Sequence, residues 1–483
     1  GYYRAIFDER FARQFKTEPS EGSGGRSIIW PRGRVLGGSS SINGLNFIRG
    51  QKEDFDDWEK LGAKGWNYDN VLSYFRKLEN YQGKESQYHG SLGNMIVSEL
   101  NNNNPSCRAW VEAAKEFGLP ANDDFNGETT YGVGSYQFSS TGRMRYSSAT
   151  AFLKPAMKRS NLTVKTNALV CKVLFNKNKA IGVEWIENNE VKKAYANCEV
   201  ILSGGSLQSP QILQLSGIGP AELLKKHDIP IIFNSPEVGQ NLQDHYQVRG
   251  IVKLKNNNGS VNNQSRNPFK IAEWGLRWLL FGSGPLTCGA GQVGGAACSR
   301  FSKKGRPDLQ FNVMPLSVDK PGEPLHNYPG FTASVWQCHP ESRGSLKIKS
   351  TNPKEQAEIR PEYLSTKLDQ NVIVDGIKMI RSIFNQPSFR DLWEKEMLPG
   401  DSVKSDEEIL HWAKHNGGTV FHAVGTCRMG NDSKSVVDEE LNVRGVENLR
   451  VIDASVMPQV TSANTNAPSL MIGEKGVSFI TKN

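Results

Sequence analysis

A chain of 483 residues is too long for one ordinary core and implies two or three domains. With 37% hydrophobic residues, 22% charged residues and 10 tryptophans, it carries the apolar material of a globular protein and is not a disordered chain. The net charge of +8 comes from 58 basic against 50 acidic residues spread along the whole length, without the concentrated basic stripe that nucleic-acid binding requires.

In chain order, the first informative segment is PRGRVLGGSSSING, residues 31–44. Its adjacent glycines and three hydroxyls permit close backbone approach and offer donors to a phosphate or polyol. Arg34, Asn43 and the apolar residues distinguish it from a Gly/Ser linker. Asparagine runs at 101–104 and 256–258 read as loops. Residues 162–186 are β-rich and predict paired strands, followed by a short buried strand over 199–202. The turn Ser203-Gly204-Gly205 then leads into a predicted helix over 206–215, closed by Ser216-Gly217. Strand, glycine turn and helix form a unit whose backbone N–H groups can meet an anion.

Residues 246–415 differ in texture, mixing Gly-rich turns, a predicted strand over 344–349 and a predicted helix over 368–384. Ser405-Asp406-Glu407-Glu408 has capping-box spacing and predicts a helix that Asn416-Gly417-Gly418 ends. Gly289-Ala290-Gly291-Gln292-Val293-Gly294 has GxGxxG spacing, but it follows Gly284-Pro285 rather than a strand and reads as a loop. The apolar run at 278–281 is far shorter than the ~20 residues of a membrane span, so none is expected. Seven cysteines, at 107, 171, 198, 288, 298, 338 and 427, include no Cys-x-x-Cys pair and suit a reducing cytoplasm.

Residues 31–44 resemble the first signature of the glucose–methanol–choline (GMC) oxidoreductases, and residues 205–219, GSLQSPQILQLSGIG, resemble the second. A third block, FHAVGTCRMG, spans 421–430, and a fourth joins Val451-Ile452-Asp453-Ala454-Ser455 to residues 462–468, SANTNAP. The resemblance implies a mixed α/β (α+β) architecture, with a Rossmann-like FAD-binding domain and an inserted substrate domain on an antiparallel sheet. The expected FAD-binding pieces are 1–94, 156–245 and 419–483, and the expected substrate pieces are 95–155 and 246–418. The implied activity is FAD-dependent oxidation of a primary or secondary alcohol to the carbonyl, by hydride transfer to flavin.

Carried over residue by residue, the resemblance implies FAD contacts at Arg34, Val35, Gly37, Gly38, Ser39, Asn43, Gly44, Leu45 and Asn46. It implies further contacts at Gly204, Asp453, Ala454 and Asn466, and an adenine contact at Val170. His422 matches the family's catalytic histidine; imidazole, with an ordinary pKa near ~6.5, can take the hydroxyl proton as hydride leaves the same carbon. Ala423 stands where relatives often carry proline. Asn464 occupies the place of a second histidine or an asparagine, where an amide orients the hydroxyl without titrating. Ile42 stands where some relatives carry the histidine that attaches FAD covalently, so noncovalent FAD is expected. Relatives begin with a strand–GxGxxG–helix unit, and Thr17-Glu18-Pro19 resembles sequence downstream of it. A fragment lacking an N-terminal βαβ piece, holding FAD poorly, is therefore the expectation.

Other readings remain open at this level. His411 and His415, at i and i+4 with His422 following, could hold a metal, although no glutamate completes an HExxH motif and no metal is expected. A lyase that keeps FAD without oxidising substrate is compatible with the same blocks. A light-driven decarboxylase would want a cation where Asn312 stands, and a flavin-free relic is the remaining alternative. The electron acceptor, whether oxygen, a quinone or a soluble carrier, is not legible.

Overall fold

The computed structural model describes residues 5–99, 104–257, 259–287, 289, 291–320 and 322–481. Asn101, Asn102, Asn103 and Asn258 of the two asparagine runs lie outside the described residues, as do Cys288 and Ala290.

The largest sheet has six antiparallel strands. Five run in the order Val293–Ala297, Leu309–Met314, Gly330–Gln337, Tyr246–Leu254, Trp393–Leu398, and Gly418–Thr419 pairs with the start of Tyr246–Leu254. Side chains alternate across a strand, and here that alternation assigns two jobs. Val248, Val252, Phe311, Val313, Ala333 and Val335 join an apolar core. The helix Lys367–Phe384 lies over that face, burying Ile373, Ile377, Ile380 and Phe384 at helical spacing. On the opposite face Arg249, Ser334 and Asn312 stand in cross-strand register. Polar residues at one parity and apolar residues at the other give the sheet one packed face and one working face.

A second core gathers Phe55, Trp58, Trp66 and Phe75 with Val200, Leu202, Leu449, Val451 and Met471. One of its parallel pairs is Val200–Leu202 with Leu449–Val451, so residues far apart in sequence lie side by side. Strand Val200–Leu202 leads through Ser203-Gly204 into helix Gly205–Leu215, the predicted strand–turn–helix. The β-rich stretch forms antiparallel strands Leu169–Asn176 and Lys179–Glu187, with Glu190–Tyr195 added as a third. Residues 162–168 precede the first of these strands, so pairing starts later than the sequence suggested. The strand predicted over 344–349 is limited to Ser345–Lys347. Ser405 caps helix Asp406–Asn416 with the expected box: its hydroxyl accepts from Glu408 N–H, and the Glu408 carboxylate accepts from Ser405 N–H at 2.9 Å. Val293 and Gly294, read as loop, begin a sheet strand. The architecture is mixed α/β, as the sequence implied.

Candidate active site

A cavity of about 570 Å³ lies where the polar face of the large sheet meets the glycine turns of the second core. Ligand sites commonly have ~300–1,000 Å³ and a few convergent polar groups. Gly37, Gly38, Ser39, Asn43, Gly44, Leu45, Asn46, Gly204, Asp453, Ala454 and Asn466 line it, together with His422 and Asn464. Three expected positions fall elsewhere. Arg34 is exposed, and Val35 packs behind the wall against Ile6, Ala12 and Ile42. Val170 sits half-buried in its strand opposite Trp185.

The glycine turns are shaped for close approach. Gly38 and Gly205 adopt φ values of 53° and 79°, and a Cβ added at either would meet nothing within 4 Å. Asp453 closes the second turn from behind: Oδ2 accepts from Gly205 N–H at 2.8 Å and Ser209 Oγ at 2.5 Å, and Oδ1 accepts from Ser455 N–H at 2.8 Å. Its charge is thereby spent on the N-terminus of helix Gly205–Leu215, where the helix dipole favours it. Asn43 is similarly engaged, its Oδ1 accepting from Arg145 at 2.6 Å.

His422 is 6% exposed and belongs to a directed hydrogen-bond chain. The Cys338 carbonyl can only accept, so the His245 Nε2 that lies 3.0 Å from it is the donor. Neutral His245 then offers a lone pair at Nδ1, which accepts from His422 Nδ1–H at 2.9 Å. His422 is left with a lone pair on Nε2, 3.0 Å from the Asn464 amide nitrogen, which donates to it. Turning the Asn464 amide over would place a proton on His422 Nε2 and force His245 into a doubly protonated state. Burial opposes that, because the His245 imidazole is lowered to about 4 against the pull of the Cys338 carbonyl. His422 itself is held well below its usual 6.5, by burial first and then by His245 and Arg32. At neutral pH it is an uncharged base with Nε2 toward the cavity.

The backbone around His422 is held equally tightly. Asp244 Oδ1 accepts from His422 N–H at 2.7 Å, while its Oδ2 accepts from Thr419 Oγ1 at 2.6 Å and from the Tyr363 hydroxyl. Burial raises the Asp244 pKa against these hydrogen bonds. Phe421 takes φ of 68°, in the left-handed region a bulky residue avoids, and thereby turns His422 inward. Ser206 Oγ donates to the Ala423 carbonyl at 2.7 Å, tying the helix N-terminus to the histidine block.

Sequence reasoning missed His245, Asp244, Arg32 and Arg249. Arg32 lay within the first motif, and Asp244 and His245 were signalled only by the polar run Gln243-Asp244-His245 entering the apolar strand Tyr246–Leu254. His411 and His415, the alternative metal pair, have rings 4.2 Å apart, and His415 Nδ1 donates to the His411 carbonyl. Among the described residues no group of three or more His, Cys, Asp or Glu side chains is gathered as a metal ion would need.

The cavity fits the flavin the motifs imply. Arg32 Nη2, Asn312 Oδ1 and Asn464 Oδ1 are buried on its wall without a hydrogen-bond partner among the described residues. Buried polar atoms without partners are costly, and here they lie together where a polar ligand would meet them. Models of the GMC oxidoreductase family match residues 18–247 and 340–473. The chain belongs to the GMC oxidoreductases. It is 40% identical over 479 residues to the alcohol dehydrogenase [acceptor] of Pseudomonas putida, covering 97% of this chain and 85% of that protein. It is 38% identical over 477 residues to human mitochondrial choline dehydrogenase, covering 98% and 80%. Pyridoxine 4-oxidase from Mesorbium loti superposes with a TM-score of 0.88 at 26% identity, covering 98% of this chain and 89% of that one. FAD-dependent oxidation of an alcohol at its CH–OH carbon is the reaction class of this GMC enzyme.

Proposed function

We propose that this GMC enzyme oxidises an uncharged alcohol, binds FAD noncovalently, and takes the hydroxyl proton on Nε2 of His422. The observation that carries the reading is the chain Cys338–His245–His422–Asn464, which leaves a neutral base facing the cavity. FAD, when bound, supplies the acceptor for the hydride. The backbone of Gly38 and Gly205 and the unpartnered Arg32 and Asn312 atoms would hold it. An incoming hydroxyl replaces the Asn464 N–H at His422 Nε2 and donates its proton there. The Asn464 amide then donates to the substrate oxygen as negative charge grows on it. Arg34, Val35 and Val170 would act from outside the cavity wall, by packing or along a longer arm of the cofactor.

Electrostatics disfavour a cationic substrate. Arg32 and Arg249 stand on the wall, and its acid, Asp453, already accepts from Gly205, Ser209 and Ser455. A quaternary ammonium would want a free carboxylate or an aromatic cage. Ile42, on the wall where a histidine would attach the cofactor, supports noncovalent binding. Residues 246–418 contribute to the first core and none to the second, which supports their assignment as a substrate domain beside the FAD-binding pieces. Free thiols at Cys107, Cys171, Cys198, Cys298, Cys338 and Cys427 support a reducing compartment. Among the described residues no helix is long and apolar enough to cross a membrane.

The test is anaerobic mixing of FAD-loaded enzyme with a primary aliphatic alcohol or with choline, following flavin absorbance against pH. The reading expects faster bleaching by the aliphatic alcohol, with the acid limb of the rate below pH 6.5. A preference for choline, or an acid limb above neutrality, contradicts it. Acid precipitation should leave the yellow colour in solution; colour retained by the pellet contradicts noncovalent binding.

A further inference from the structure

The helix Pro268–Phe281 stands apart from both cores, with Trp274 its one buried side chain. Phe269 is 83% exposed, Ile271 48%, Leu276 58%, Leu279 60% and Leu280 61%. At ~100° per residue Phe269, Leu276, Leu279 and Leu280 occupy one face, while Ile271 lies beside Trp278. Trp274 and Trp278 lie on the opposite face, where Trp278 Nε1 donates to the Arg143 carbonyl. Lys270, Glu273 and Arg277 form one border of the apolar face. Glu273 pairs with Lys270 at 2.8 Å and with Arg277 at 3.8 Å. Arg266 stands just before the helix, and Arg143 Nη2 donates to the Leu280 carbonyl near its end. The rim is therefore net basic.

We propose that this helix is a docking surface for an anionic phospholipid bilayer, lying in the plane of the interface with its apolar face among the acyl chains. A helix of 14 residues is too short to cross, since a span needs ~20. Amphipathic helices with Phe and Leu on one side and basic residues at the border bind in this manner. Charge separates the membrane from a second copy of the chain. A two-fold pairing of this face would bring two net-basic rims together, whereas phosphatidylglycerol headgroups supply the opposite sign. Exposed apolar patches of this extent mark an interaction surface.

The experiment is flotation of the full chain with vesicles of phosphatidylcholine, alone or mixed with phosphatidylglycerol. The parent should float with the mixed vesicles, float less with phosphatidylcholine alone, and lose binding as salt rises. Leu276→Glu with Leu280→Glu should weaken partitioning by about 100-fold, through lost apolar burial and added charge. Both sites are exposed, so the melting temperature should not move. Lys270→Glu with Arg277→Glu should abolish the preference for phosphatidylglycerol and spare the weaker binding to phosphatidylcholine. A parent that stays behind when mixed vesicles float overturns the proposal. So does a concentration-dependent dimer in sedimentation velocity that the leucine variant dissolves, because the face would then be a contact between copies.

Discussion

His89 and His422 are both buried, and their neighbours push them in opposite directions. His89 sits between two carboxylates, with Nδ1 3.0 Å from Glu79 and Nε2 3.0 Å from Asp124, and stacks on Tyr81 at 3.9 Å. Burial lowers its pKa, but the hydrogen bonds to Asp124 and Glu79 outweigh burial and the net shift is upward. His422 has a second imidazole and an amide as ring partners, and its pKa falls. A buried histidine clamped by acids becomes a structural cation. One fed by neutral partners stays a base. The identity of the partner, more than the burial, decides which work the ring does.

That contrast sets the expected effects. His422→Ala should lower the rate of flavin reduction by ~10²–10⁴-fold with little change in substrate binding, as loss of a positioned base does. His89→Gln should leave that rate within a few-fold and cost stability instead; stopped-flow kinetics and thermal melts separate the two. Glu79→Gln removes the partner of fully buried Arg49, whose Nη2 lies 2.5 Å away, and should cost about 3–5 kcal/mol in denaturant unfolding. Asn464→Ala should slow flavin reduction on the order of 10²-fold by removing a donor to the developing negative charge. Asn464→His should bring a second ionisation into the pH–rate profile.

The two clusters also give stability opposite pH signs. The folded pKa of His245 is about 4, below its unfolded 6.5, so the native state resists protons that the unfolded chain accepts. That stability is present above pH 6.5 and is lost as pH falls toward 4, on the order of 3 kcal/mol in total. His422 adds to the loss in the same direction. His89, raised, contributes stability that is full below pH 6.5 and is lost as pH rises through its folded value. Chemical unfolding across pH should show the acid-side loss shrink in His245→Gln and the alkaline-side loss shrink in His89→Gln. The smallest effect is expected at Gly205→Ala, about 1–2 kcal/mol for a side chain at φ of 79°, together with weaker flavin retention.

Local rules carried much of this fold. Strand Val200–Leu202, the Gly204-Gly205 turn and helix Gly205–Leu215 are contiguous, and the Ser405–Glu408 box closes within one turn, so each was legible from neighbouring residues. The order of the six-stranded sheet was not, because its pairings join segments far apart, such as Tyr246–Leu254 with Trp393–Leu398. The site divides in the same way. His422, Asn464 and the glycine turns lie in contiguous blocks. His245 acquires its part only through the Cys338 carbonyl and the His422 ring, 93 and 177 positions away. Three-dimensional placement also moved Arg34 and Val35 off the cavity wall, although one motif had grouped them with Gly37 and Gly38, and Val170, carried over separately as an adenine contact, lies off it too.

The central claim is that His422 is a neutral imidazole, protonated on Nδ1 with a bare Nε2 toward the cavity. Long-range ¹H–¹⁵N correlation of ring-labelled histidines tests it directly at neutral pH, with His422→Gln used to assign the signals. The account predicts a protonated Nδ1 and an unprotonated, pyridine-like Nε2, whether or not FAD is bound. A proton on Nε2, or an imidazolium pattern at pH 7, would contradict it.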